Sequence, residues 1–360
     1  MPSAFISNAL RAALAALLLA IAAPAAAQQG DDLSVDPATR DRLVAFVAQR
    51  VGERYVNPAV GQRVSEQVMA LHRAGRYGAL GTASALTDTL TADLRRIGGD
   101  SHLQVVFSVR PRPMSAGGAP SPDEARRQRE AAAARNFGWH RVERLDGNVG
   151  YIEVGRFEPL DDAGPVMAAA MRFLSNTDAV IVDLQTNGGG HAQTVNAFVS
   201  YFLPPGVHVS TLHRRDPADS VRAVTDSVLP APRYLDRPVL VLTAARTYSG
   251  AEGFTYGLRM RGRATVVGER TRGGANPGEW QQMNEHFAVF VPTARVADGV
   301  TGGNWEGTGI EPDIAAAPRD ALAAAHAVAL ERLLAERPDS PRAPMWREAL
   351  ERLRARASAP

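Results

Sequence analysis

Apolar positions change their period part-way along this chain. Between Ser34 and Arg96, Leu43, Phe46, Val47 and Val51 fall three to four residues apart, and Val64, Val68 and Leu71 repeat the spacing, which predicts amphipathic helices. Another helix starts at residues 84–88, carries Leu90 and Leu94 on one face, and stops at Gly98-Gly99-Asp100. His102 to Val109 reads as a strand, residues 111–122 as a Pro/Gly/Ser-rich linker, and Pro122 to Arg135 as a helix. Apolar runs then alternate with helical patterns: strands over 149–154, 179–184, 239–243 and 264–267, helices over 163–174, 194–202 and 251–260. A strand over 287–291 and an Ala/Leu helix over 320–334 follow. Short apolar strands separated by helices predict an α/β sheet covered on both faces, behind a helical N-terminal subdomain.

The first 27 residues stand apart from this pattern. Arg11, an apolar run of about a dozen residues and the small end Ala25-Ala26-Ala27 describe a secretory signal peptide cleaved before Gln28. The run is short of the roughly 20 residues that span a bilayer, so no membrane span is expected after cleavage, and the protein is expected to be periplasmic or secreted. The expected layout is a signal over 1–27, a helical subdomain over 31–100, and a strand, linker and helix over 101–136. A catalytic domain over 137–330 and a peripheral Arg/Pro-rich tail over 331–360 complete it.

Charge and composition narrow the partners. The formal net charge of +2 is close to neutral, which argues against nucleic acid as the main partner. There is no cysteine, so neither disulfides nor a cysteine-borne lipid supports the fold. All 40 basic residues are Arg. A serine nucleophile here cannot be activated by lysine, and a guanidinium stays protonated at any working pH.

Two loops that follow buried strands carry the strongest chemical signal. Asp183-Leu184-Gln185-Thr186-Asn187-Gly188-Gly189-Gly190 follows one, and Thr247-Tyr248-Ser249-Gly250-Ala251-Glu252 the other. Ligands of open α/β sheets sit at the carboxyl ends of strands, so both loops should face one crevice. Ser249 at a helix start beside the N–H groups of Gly250 and of Gly188 or Gly189 would supply a nucleophile and an oxyanion hole. Read separately, the glycines form a tight turn and Ser249 an N-cap. The chain has eight histidines from which to choose a base. His102 opens a strand after Ser101, and His191 directly follows the glycine run. His208 and His213 suggest a metal pair, but no acid stands at ligand spacing, and neither a metal nor a cofactor is expected. Glu306 lies among glycines beside Trp305 and by pattern alone is a turn residue.

These motifs, with Gly150-Tyr151-Ile152, Val267-Gly268-Glu269-Arg270-Thr271-Arg272-Gly273-Gly274 and Glu306-Gly307-Thr308-Gly309-Ile310-Glu311-Pro312-Asp313, occur in an order that resembles peptidase family S41, the tail-specific or C-terminal processing proteases. The resemblance covers about residues 85–330 and implies a crotonase-like α/β fold. The processing branch of that family places a lysine where this chain reads Gly273-Gly274. The chain is instead similar to the branch of the tricorn core and the interphotoreceptor retinoid-binding protein-like domains. That likeness implies Ser249 as nucleophile and His102 as base, with Ser101 and Glu306 orienting and polarising the imidazole. Fewer than fifty residues separate His102 from Tyr151, too few for a PDZ module of roughly 80–100 residues. The implied function is an exported serine peptidase acting on peptides or unfolded protein segments. The alternative is a non-catalytic ligand-binding protein on the same fold. An ordinary imidazole base would make activity rise through an apparent pKa of roughly 6–7.5.

Overall fold

The computed structural model describes residues 32–111 and 122–357, so the expected signal peptide and most of the linker lie outside the described residues. Three helices open the described residues, α1 (Pro37–Arg54), α2 (Pro58–Arg73) and α3 (Ala83–Gly98), and the helix expected from Pro122 forms α4 (Pro122–Ala133). Each of the first three begins at a polar N-cap whose side chain accepts from the first turn: Asp36, Asn57 and Thr82. Gly99 stops α3 in the left-handed conformation at φ 69°. The apolar positions read from the sequence, including Leu43, Val47, Val64, Val68, Leu90 and Leu94, are buried together.

The helical core is not closed by helices alone. Strand β1 (Gln104–Phe107) pairs antiparallel with β10 (Phe287–Pro292), which pairs with β9 (Gly278–Gln282). Val105, Phe287, Val289 and Val291 turn into the N-terminal core. A strand from far along the chain therefore completes the subdomain, and the expected boundary near residue 136 is crossed.

The part of the chain that follows is built on a six-stranded sheet, ordered β12-β8-β7-β4-β3-β2. Its members are β2 (Trp139–Leu145), β3 (Val149–Val154), β4 (Ala179–Asp183), β7 (Val239–Thr243), β8 (Thr265–Gly268) and β12 (Ile314–Ala315). All neighbours are parallel except β2 and β3. Strand residues alternate between two cores. Val180, Val182, Val239 and Val241 pack with α5 (Leu160–Leu174), α6 (Ala192–Ser200) and α7 (Gly250–Arg259). Ile181, Leu240 and Leu242 face α8 (Ala321–Glu336) and α9 (Ala343–Ala357). A second small sheet joins β11 (Ala294–Asp298), β5 (His208–Arg214) and β6 (Val221–Val224).

The tail is not peripheral. Helix α9 packs against α8 with Ala343, Trp346, Ala349 and Leu350 buried. Trp346 Nε1 donates to Asp178 Oδ2 at 3.3 Å, and Arg342 forms an ion pair with the same carboxylate. Frequent arginines masked an apolar stripe at helical spacing. Among the described residues no helix is long and apolar enough to cross a membrane.

Candidate active site

Strands β4 and β7 are parallel neighbours, so the loops after them leave the same edge of the sheet. Tyr248 N–H donates to the Asn187 carbonyl at 3.0 Å and locks the loops together. Asn187 is fully buried: its Nδ2 donates to Val154 O at 2.9 Å, and its Oδ1 accepts from Gly189 N–H at 2.7 Å. Gly189 has φ 100°, and a Cβ there would stand 2.8 Å from both Ser249 Cβ and Gly250 N. Only glycine permits that approach. The contact changes one expectation: Gly189 N–H is spent within its own loop and is not free for an oxyanion. Gly250, first residue of α7, has no acceptor for its N–H within the helix, and a Cβ on Gly188 would meet nothing within 4 Å.

Ser249 adopts φ 54° and ψ −116°. An N-cap normally lies in the extended region, so capping does not account for this conformation; a non-glycine residue at positive φ is strained. Glu252 over-determines the geometry. Fully buried, it accepts from Ser249 N–H at 2.7 Å, Thr271 Oγ1 at 2.5 Å, Gly273 N–H at 2.7 Å and Gly274 N–H at 2.9 Å. Burial pushes its pKa up while these donors oppose the rise. One carboxyl thus ties the serine turn to the loop at 271–274. That combination, a strained serine turn between strand and helix, is the geometry of a nucleophile elbow.

His102 lies beside this turn. Its ring is tilted against that of Tyr248, centroids 4.6 Å apart, and its side chain is 9% exposed. Both ring nitrogens are buried without a hydrogen-bond partner among the described residues. Asp100 Oδ1 accepts the His102 backbone N–H at 2.8 Å and lies 3.8 Å from His102 Nδ1. Burial lowers the imidazole pKa to about 4; Asp100 opposes the shift, and Arg272 and Arg95 reinforce it. Burial therefore favours the neutral imidazole, in a direction opposite to the pull of Asp100. A Cβ on Gly274 would fall 2.6 Å from His102 Cε1 and 2.2 Å from Tyr248 Cε2. A side chain at 274 and His102 in this place exclude one another.

Ser101 and Glu306 join the cluster without touching the imidazole nitrogens. Ser101 Oγ donates to Gly273 O at 3.0 Å and shares a hydrogen bond with Tyr248 Oη at 2.9 Å. Glu306 accepts from the backbone N–H groups of Ser101, at 3.4 Å, and Ala275. Direct polarisation of the ring by either is thus not present; both hold the backbone and the tyrosine against which His102 packs. Burial and the nearby Asp100 raise the Glu306 pKa to about 7.

The remaining histidines stand elsewhere. His191 is exposed at the N-cap of α6. His208 Nε2 pairs with Thr211 Oγ1 at 3.0 Å, and His213 is exposed on β5. Local spacing in the sequence offers no metal cluster, but the fold brings ligand atoms of Asp100, His102 and Glu306 within 4.8 Å of one another. The carboxylates of that set also accept from protein N–H groups.

Two family models match the chain. The model for peptidase family S41 matches residues 148–316, and that for the N-terminal domain of this family in eukaryotic IRBP matches residues 38–135. The chain belongs to peptidase family S41. A carboxyl-terminal-processing protease of Synechocystis sp. is 32% identical over 150 residues, 41% of this chain and 33% of that one. Carboxyl-terminal-processing peptidase 1, chloroplastic, of Arabidopsis thaliana is 28% identical over 179 residues, 48% of this chain and 35% of that one. The chain thus spans about a third of the length of these curated relatives. Among solved structures, a lipoprotein from Streptococcus agalactiae aligns with a TM-score of 0.53 at 14% identity, over 83% of this chain and 99% of that one. A candidate peptidase from Parabacteroides merdae aligns with a TM-score of 0.51 at 21% identity, over 77% and 89%. These likenesses show a shared α/β fold.

Several residues of the site carried no role in the sequence reading. Asp100 looked like the end of a helix, Asn187 like part of a glycine turn, and Tyr248 and Glu252 like neighbours of the serine. The signal for Asn187 and Glu252 was present as polar residues inside otherwise apolar or glycine-rich motifs. Asp100 acquires its meaning only from Tyr55 Oη and Asn276 Nδ2, each donating to its Oδ2 at 2.9 Å from distant segments.

Proposed function

We propose that this protein is an exported serine peptidase that cleaves peptides or unfolded protein segments through an acyl-enzyme on Ser249. One observation supports the reading: a buried imidazole whose two nitrogens have no hydrogen-bond partner among the described residues stands beside a strained serine turn. In this mechanism Ser249 Oγ attacks the substrate carbonyl as His102 takes its proton. The developing oxyanion is held by the N–H groups of Gly250 and Gly188. His102 then protonates the leaving amine, and water hydrolyses the ester with His102 again as base. Asp100 stabilises the transient imidazolium, while Ser101, Tyr248 and Glu306 fix the ring in place. The signal sequence would direct export and yield a mature chain beginning at Gln28.

The test is labelling by a fluorophosphonate probe, which reacts only with an activated serine. Ser249→Ala should abolish labelling with an unchanged circular dichroism spectrum. His102→Ala should lower peptide turnover by roughly 10³-fold or more, whereas His191→Ala should leave it near wild type. A wild-type chain that is folded and does not label would instead support the ligand-binding alternative.

A further inference from the structure

The rings around the base continue past it. Phe290 on β10 lies with its centroid 6.1 Å from that of His102, and Trp280 on β9 meets Phe290 edge-on at 5.2 Å. With Tyr248, whose ring centroid is 4.6 Å from that of His102, four rings are in successive contact between the serine turn and β9. The register explains the alignment. Gln104, Phe290 and Trp280 stand directly opposite one another across β1, β10 and β9. Their strand neighbours Val105, Val289 and Val291 point the other way, into the helical core. The row thus lies on the sheet face that the N-terminal helices do not cover.

Trp280 is 48% exposed, on a strand that otherwise reads Gly278, Glu279, Gln281 and Gln282. A large half-exposed aromatic ring, linked to a buried imidazole through tilted and edge-on ring contacts, has the form of a contact platform. Strand β9 is also the outer member of its sheet, with no strand beyond it among the described residues. The two ring-to-ring steps reach no further than about three residues of extended peptide.

Resting on the proposed peptidase reading, we propose that Trp280 and Phe290 form an apolar subsite. It takes one aromatic or branched aliphatic side chain of an extended substrate, within about three residues of the scissile bond. The site thereby selects substrates by an apolar side chain near the cleaved bond.

The test uses the full chain and a set of fluorescent decapeptides carrying Phe, Leu or Asp at each position around one cleavage site. Wild type should prefer Phe or Leu over Asp at one position by about tenfold or more in kcat/KM, the worth of burying one apolar side chain. Trp280→Ala should compress that preference to within about threefold, and Trp280→Phe should keep most of it. The rate of fluorophosphonate labelling should be the same in all three. Binding of the same peptides to Ser249→Ala, with and without Trp280→Ala, read by fluorescence anisotropy, tests the subsite independently of turnover. An apolar preference that survives Trp280→Ala in both assays overturns the proposal. So does a loss of labelling in Trp280→Ala, which would make the tryptophan a support for His102. Absence of labelling in wild type, with the binding preference intact and sensitive to Trp280, would sink the peptidase reading and leave the subsite standing.

Discussion

At the scale of residues, the site turns on how His102 is kept neutral and what receives its charge. A buried imidazole resists protonation, and Arg272 and Arg95 add to the resistance. The proposed mechanism needs the neutral form, so the acid limb of kcat/KM should fall near pH 4 rather than near 6.5. Asp100 pulls in the opposite direction by favouring the imidazolium. Asp100→Asn can still accept the His102 backbone N–H, so the ring should stay in place. It should lower kcat by roughly 10²-fold while moving the acid limb to still lower pH. A pH–rate profile of both proteins checks the pair of effects. A wild-type limb at 6.5 would refute the lowering by burial, and an Asp100→Asn limb that moves upward would remove the aspartate from the mechanism. The sequence made Ser249 and His102 legible because each sits in a local motif. It could not show Asp100 as the charge partner, since that role depends on Tyr55 and Asn276 holding a carboxylate across more than forty positions of chain.

At the scale of elements, two parallel strands deliver two loops to one edge, and glycines decide how closely they meet. Alternating apolar strands and helices made this arrangement readable, and β4, β7, α7 and α8 fall close to where periodicity placed them. Helix α9 is hard to read as core, because arginines stand between the apolar residues Trp346, Ala349, Leu350 and Leu353 that form its packed face. The oxyanion assignment shows the same limit: three consecutive glycines look equivalent until Asn187 Oδ1 claims the N–H of Gly189. Gly189 remains indispensable for another reason, since any side chain there collides with Ser249 Cβ and Gly250 N. Gly189→Val should therefore shift the nucleophile and its neighbouring donor, lowering kcat at least about a hundredfold with little change in peptide affinity. Steady-state kinetics together with direct peptide binding measure this. Unchanged kcat would return the glycine loop to a purely structural turn.

At the scale of the whole molecule, the proposed base and the proposed nucleophile belong to different cores. Ser249 heads a helix packed on the six-stranded sheet, whereas His102 leads into β1, whose Val105 is buried with the N-terminal helices. The sequence drew these as successive domains, but β10 returns from residue 287 to close the N-terminal core with Phe287, Val289 and Val291. Long-range strand pairing of this kind leaves no local trace in a sequence. Its consequence is that the helical subdomain and the catalytic part should unfold together rather than in sequence. Leu90, fully buried among α1, α2 and α3, tests the coupling from a position remote from the serine turn. Leu90→Ala should destabilise the protein by about 2–5 kcal/mol through the cavity it leaves. If the cores are coupled, calorimetry should show one transition moved to lower temperature. Fluorophosphonate labelling should be lost at that same temperature, because His102 departs with the helices. Two separated transitions, with labelling surviving the first, would mean that the catalytic sheet holds its base without the N-terminal helices.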